Sequence, residues 1–246
     1  MSINSAMLAG VSGLSANSSS LAAISDNIAN LNTTGFRAQI DGFRAVPVQG
    51  PSLPTRAYVL DATTGADFAQ GVMHETGNPL DVALQGSGWL ALQAADGSEV
   101  YTRNGELRVT DSGVLTGLGG LAVAGDAGPI SVPPDGRIAI AADGTVSAKD
   151  ARGVATVVGR LRLVNPPTDA LQRGDDGFFR TRDGQPAQAA ANVRLVPGSL
   201  EGSNVNAIDA MVSMIALSRA FEMQMSLLKN AESNAAKASQ ILAMNP

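Results

Sequence analysis

Both ends of this 246-residue chain carry apolar residues spaced seven apart, on segments that hold almost no charge. Near the N terminus Met7, Leu14, Leu21 and Ile28 form one such series, while Ile3, Ile24 and Leu31 fall on an interleaved one that Gly10 and Asn17 complete. Alternating spacings of three and four kept up over residues 3–31 describe a narrow coiled-coil seam rather than the broader apolar stripe of an ordinary globular helix. The C-terminal segment repeats the pattern over residues 208–242. Met214, Phe221, Leu228, Ala235 and Leu242 make one series, Leu217, Gln224, Ala231 and Ala238 the other, and Ile208, Met211, Ile215 and Met225 broaden the face.

Residues 1–36 carry one charged side chain, Asp26. Between Gly202 and Pro246, Asp209, Glu222 and Glu232 balance Arg219, Lys229 and Lys237. A helix bathed in water normally displays dense charge of both signs, so surfaces built from small residues and amides suit packing against protein on several sides. Two undercharged terminal helices with matching seams are expected to pack together and against other helices.

The middle, residues 37–201, has a different grammar. Asp96-Gly97, Asn104-Gly105, Asp135-Gly136, Asp143-Gly144 and Asp183-Gly184 punctuate short apolar runs, with Ser112-Gly113 of similar type, and such pairs are strong local signals for tight turns between strands. Strands are expected at Val82–Leu84, Trp89–Gln93, Val100–Arg103, Leu107–Thr110, Arg137–Ala141, Thr145–Ala148, Val157–Val164 and Phe178–Thr181. Pro47, Pro51 and Pro54 mark an extended connector within residues 37–79, because proline fixes φ and lacks an amide donor. Asn204 or Asn206 is placed to cap the last helix.

Several function classes find no support. The formal charge of −5, with lysine only at 149, 229 and 237, does not suit a phosphate-binding surface for nucleic acid. No cysteine is present, which excludes disulfides and thiolate chemistry. No apolar run is long enough to cross a bilayer, and the first basic residue is Arg37, so no cleaved secretory signal is expected. His74 is the one histidine and has no Gly-x-Ser-x-Gly partner motif. The string Gly117-Leu118-Gly119-Gly120-Leu121-Ala122 leads into another strand and turn rather than opening a helix, so it reads as a glycine-rich turn rather than a dinucleotide fingerprint. Asp175-Asp176-Gly177 reads as a turn before a strand. No catalytic residue, metal ligand or cofactor is expected.

The segment Ile24-Ser25-Asp26-Asn27-Ile28-Ala29-Asn30-Leu31-Asn32-Thr33-Thr34-Gly35-Phe36-Arg37 resembles the N-terminal signature of the rod and hook proteins of the bacterial flagellum. In that signature an Asn-Leu-Ala-Asn-like run precedes Thr-x-Gly-Phe. Tyr101-Thr102-Arg103-Asn104-Gly105 and Leu200-Glu201-Gly202-Ser203-Asn204-Val205 extend the likeness, and Ser218-Arg219-Ala220-Phe221-Glu222 favours the proximal-rod type over the distal-rod and hook types. Asn27, Asn30, Thr34, Gly35, Phe36, Arg219 and Glu222 are the motif positions. Gly35 is expected to end the first helix in a left-handed cap.

The resemblance implies a structural, non-enzymatic subunit of the basal-body rod, lying in the periplasm and exported by the flagellar apparatus without a cleaved signal. Its partners would be other proximal and distal rod proteins and copies of itself, with no nucleic acid and no membrane insertion. The expected fold class is α+β, with long N- and C-terminal helices forming a coiled-coil-like domain from residues 1–36 and 202–246, and a β-rich outer core over 37–201. The packing side chains would be Met7, Leu14, Leu21, Ile24, Ile28, Leu31, Ile208, Met214, Leu217, Phe221, Leu228 and Leu242. Two alternatives stay open on the sequence: a distal-rod or hook-type member, and a secreted β-rich binding module whose two helices satisfy each other within one chain.

Overall fold

The computed structural model describes residues 3–47, 57–133, 136–150 and 153–243. The chain divides into two compact units. One holds Met1–Ala29, Gln39–Ala66 and Asn206–Pro246; the other holds Asn30–Ala38 and Asp67–Val205.

The first unit contains α1 (Ile3–Ala29), β1 (Gln39–Pro47), β2 (Ala57–Ala66) and α2 (Ala207–Ala243). Glycine, serine and asparagine make α1 a weak helix former on propensity alone, so its stability rests on what it packs against. It packs against two things. Gly10 lies so close to α2 that a Cβ there would come within 2.8 Å of Leu228 Cδ2, and Asn17 Nδ2 donates to the Leu217 carbonyl at 3.3 Å. At its other end, the buried Asn27 amide and the backbone of Gln39 exchange hydrogen bonds of 2.9 and 2.7 Å, which fixes the start of β1. β1 and β2 pair antiparallel within the stretch read from sequence as an extended connector, with a register shift between Gly42 and Phe43. Pro51 and Pro54 lie outside the described residues. Asn206 caps α2, its Oδ1 accepting from Ile208 N and Asp209 N, while Asn204 has a separate role described below.

The expected coiled-coil-like domain of long terminal helices is not what the chain forms. Helical structure among the described residues consists of these two α-helices and two single 3₁₀ turns, beside a much larger β-rich part. Among the α1 residues whose side chains are described, those buried are Asn17, Ala23 and Asn27, not the leucines of the seam. Leu14, Leu21, Ile24 and Ile28 are half-buried, and Leu31 lies beyond the helix, which ends at Ala29. Asn17 Oδ1 and Gln224 Oε1 are both buried without a hydrogen-bond partner, a cost that a dry knobs-into-holes seam does not carry. Heptad spacing alone could not reveal this, because Gly10 and Asn17 occupy seam positions and bring backbone close to α2, while the start of β1 takes up the end of α1.

The second unit is built almost wholly of strands. Its largest sheet is antiparallel and runs, edge to edge, through Leu171–Arg173, Phe179–Thr181, Glu99–Thr102, Trp89–Gln93, Ala122–Gly125, Leu115–Thr116 and Arg108–Val109. Leu163–Val164 pairs with the start of Trp89–Gln93, on the edge that Ala122–Gly125 takes up further along. A three-stranded sheet of Arg137–Ile140, Thr145–Lys149 and Ala155–Arg160 joins it around one core of Val82, Leu84, Leu90, Leu92, Leu115 and Val146, all with no exposed surface. The expected single strand Val157–Val164 is divided. Leu161 and Arg162 pass from the small sheet to the large one, where Arg162 N donates to the Ala124 carbonyl.

Asp96-Gly97 and Asp143-Gly144 form the expected turns, each glycine at positive φ. Asn104-Gly105 does not. Asn104 is buried, and Gly105 sits directly on the Val82 carbonyl, leaving no room for a side chain. Asp135 lies outside the described residues.

Candidate functional site

In the second unit, the segment that follows α1 and the segment that precedes α2 are tied together by the motif residues. Thr33 Oγ1 donates to Asn30 Oδ1 and Phe36 N to the Thr33 carbonyl, so residues 30–36 turn tightly. Helix α1 has already ended, so Gly35 is not a helix cap. Its φ of +69° belongs to this turn, and its N–H donates to the Glu201 carbonyl at 2.7 Å. A Cβ on Gly35 would collide with the backbone of Arg103 and Asn104. Phe36 is buried with the Arg173 guanidinium 4.4 Å from its ring centroid. Asn204 closes the arrangement: its Oδ1 accepts from Ala38 N at 2.7 Å and its Nδ2 donates to the carbonyls of Asp67 and Ala69. Thr34 is half-buried in the turn.

Beneath this junction lies a buried ion cluster that the sequence reading did not foresee. Glu201 has no exposed surface. Its Oε1 accepts from Arg37 Nη2 at 2.7 Å and from Gly71 N at 2.9 Å, and its Oε2 from Arg103 Nε at 2.9 Å and Nη2 at 2.7 Å. Arg103 Nη1 also reaches the carbonyls of Gly86 and Gly88. Burial pushes the Arg103 guanidinium below its ordinary pKa, Glu201 opposes that shift, and the neighbouring Arg37 adds to it. Arg37 and Glu201 both belong to signature-like segments, 24–37 and 200–205, yet no spacing rule joins positions so far apart in sequence.

The first unit presents a different surface. At 100° per residue, Met214, Leu217, Phe221, Gln224 and Leu228 share one face of α2, and all are half-buried. Ile208, Met211, Val212, Ile215, Met223 and Leu227 lie on the opposite face and are 51–73% exposed. Helix α2 is thus apolar on two sides and covered on one. The expected packing residue Ile208 belongs to the uncovered side, and Arg219 and Glu222 are exposed. The side chains of Met7 and Leu242 fall outside the described residues. A groove lined by Ser20, Ala23, Ile24, Gln39, Ser213 and Leu217 opens in the same unit.

His74 is exposed in a short strand that pairs with Ser199–Glu201, and Asp176 forms a turn-stabilising ion pair with Arg180 at 2.6 Å. Among the described residues no group of three acidic or histidine side chains could hold a metal ion, and no helix is long and apolar enough to cross a membrane. A helical unit with an uncovered apolar stripe, in one chain with a rigidly cross-linked β-rich unit, has the parts of a building block for a larger assembly.

Comparison with known proteins gives that building block its family. Residues 7–37 match the family described as flagella basal body rod protein, residues 83–148 the flagellar hook protein FlgE/F/G D1 domain, and residues 196–241 the flagellar basal body rod FlgEFG protein C-terminal region. The chain is 52% identical to the flagellar basal-body rod protein FlgF of Escherichia coli, over 89% of this chain and 90% of that protein. It is 48% identical to FlgF of Salmonella typhimurium over 89% and 90%, and 32% identical to the rod protein FlgG of Agrobacterium fabrum over 96% and 99%. The chain belongs to the flagellar basal-body rod protein family. It is therefore a structural subunit of the basal body that assembles with other rod proteins, and not an enzyme.

Proposed function

We propose that the subunit enters the rod through its helical unit, and that the uncovered face of α2 is the principal contact with neighbouring rod subunits. The observation that carries this is the row of large apolar side chains from Ile208 to Leu227, each more than half exposed on a helix whose other face is already occupied. A soluble monomer rarely leaves so many large apolar side chains on one helix face in water, and such a face, here crossed by the exposed Arg219 and Glu222, marks an interaction surface. Repetition of one head-to-tail contact that does not close on itself builds an open helical stack. The half-buried Leu14, Leu21, Leu217, Phe221 and Leu228 would lose their remaining exposure in the same step, each fully buried large apolar side chain contributing roughly 1.5–3 kcal/mol before ordering costs.

In this reading the subunit belongs to the proximal rod in the periplasm, reaches it through the flagellar export apparatus, and transmits torque along a packed shaft. Its neighbours are proximal and distal rod proteins and copies of itself. The β-rich unit sets neighbour choice. A private helical hairpin is disfavoured, because pairing α2 with α1 leaves the second apolar face of α2 uncovered.

Ile215→Asp places a charge at the centre of the uncovered row without touching the α1 side. The purified variant should keep wild-type helical content and the unfolding transition of its β-rich unit, while cells that carry it assemble no rod beyond this subunit and do not swim. Rods of normal length and normal swimming would refute the assignment of this face.

A further inference from the structure

We infer that the cavity beside the Glu201 cluster is a binding site for a small oxyanion, a carboxylate or a phosphate. The cluster joins two guanidinium groups to one carboxylate, and the side chains of Arg37 and Arg103 are each 2% exposed. One positive charge is left over in a buried place. Arg103 places all its nitrogens on acceptors, namely Glu201 and the carbonyls of Leu84, Gly86 and Gly88. Arg37 does not. Its Nη2 binds Glu201, while Nε and Nη1 are buried with no hydrogen-bond partner.

Unmet donors on a buried cation are costly, since the group has given up water and gained nothing in return. An oxyanion in the cavity would supply acceptors and cancel the surplus charge together. Both arginines line this cavity, which measures about 240 Å³ and is walled by Phe68, Gln70, Trp89 and Thr168. That volume admits an acetate or a phosphate with a few waters, each water taking about 30 Å³. No carboxylate belongs to its lining. The larger groove around Arg162 and Arg180 differs on this point, because Glu99 pairs with Arg162 at 2.9 Å and Asp176 with Arg180, so its cations are already matched. The unmet Nε–H and Nη1–H of Arg37 point in different directions, and each is a charged donor of the kind that carboxylate and phosphate oxygens accept.

The test uses the full chain, with thermal unfolding of the β-rich unit followed through its single tryptophan, Trp89. Phosphate and acetate are each compared with sodium chloride at equal ionic strength. At about ten times the half-saturating concentration the unfolding midpoint should rise by roughly 3 °C or more, and calorimetric titration should show one site per chain. Arg37→Met removes the free donors. Thr168→Phe fills the exposed side of the cavity and leaves the ion cluster untouched, so it decides the matter even if Arg37→Met folds poorly. A rise with either oxyanion that Thr168→Phe abolishes supports the site. A response no larger than that to chloride, or one that persists undiminished in Thr168→Phe, overturns it.

Discussion

Glu201→Gln will cost the β-rich unit about 3–5 kcal/mol, the scale expected when one partner of a buried ion cluster is removed and the rest is left uncompensated. The amide keeps the shape of the side chain but not its charge, and two guanidinium groups that are each 2% exposed would then face each other without an anion. The substituted side chain would also present an N–H₂ where Arg37, Arg103 and Gly71 all offer donors, so some of these hydrogen bonds must fail. Denaturant unfolding followed by Trp89 fluorescence reads the effect. The companion Arg37→Met should cost far less, because Glu201 would keep Arg103 on Oε2 and Gly71 N on Oε1. Equal losses in the two variants would show that the carboxylate is not the keystone of the cluster.

Gly35→Ala is expected to be comparably damaging, at about 3–5 kcal/mol, for reasons that do not involve charge. Its φ of +69° costs any L-residue energy, and its Cβ would strike the backbone of Arg103 and Asn104, which cannot rotate away as a side chain could. Displacing that backbone would pull Arg103 from Glu201 and lengthen the Gly35 N–H bond to the Glu201 carbonyl. The two substitutions therefore act on one junction from two sides, and their effects should not add in the double variant. A Gly35→Ala protein with wild-type midpoint and slope would mean that this turn is looser than its contacts indicate.

How much of this was legible beforehand differs by element. Trp89–Gln93 and Thr145–Ala148 were readable because short apolar runs flanked by Asp-Gly turns leave little else for the backbone to do. The hairpin β1–β2 was not, since Pro47 and the prolines beyond it argued for an extended link, and Pro47 instead ends a strand. The termini were readable as helices, but not as the helices they are. Heptad spacing reports where apolar side chains recur and not what covers them, so one seam was assumed where α2 has two faces, and the close approach of α2 at Gly10, the Asn17 hydrogen bond to the Leu217 carbonyl and the hold of Asn27 on the start of β1 were missed.

The motif residues were visible as a string and opaque as a mechanism. Asn27 was read only as a motif position, and in the last turn of α1 it holds the first residue of β1 through paired hydrogen bonds. Gly35 was expected to cap α1 and instead lies six residues beyond Ala29, packed against Arg103. The Glu201 cluster draws on Arg37, Gly71, Arg103 and Glu201, which converge only after the strands have formed. Local sequence carries no trace of such a convergence beyond the bare oddity of charged residues set among apolar ones.

The central claim is that the uncovered face of α2 becomes an inter-subunit contact in the rod. Because the chain contains no cysteine, Ile215→Cys gives a single thiol on that face, and Val154→Cys, at a position 59% exposed in the β-rich unit, gives a reference. Maleimide labelling of each variant should be fast in the purified subunit. In isolated basal bodies, labelling at position 215 should slow by at least about tenfold relative to the free subunit, the protection expected of a well-buried contact. Labelling at position 215 that stays as fast in basal bodies as in the free subunit, with position 154 behaving alike, would contradict the account.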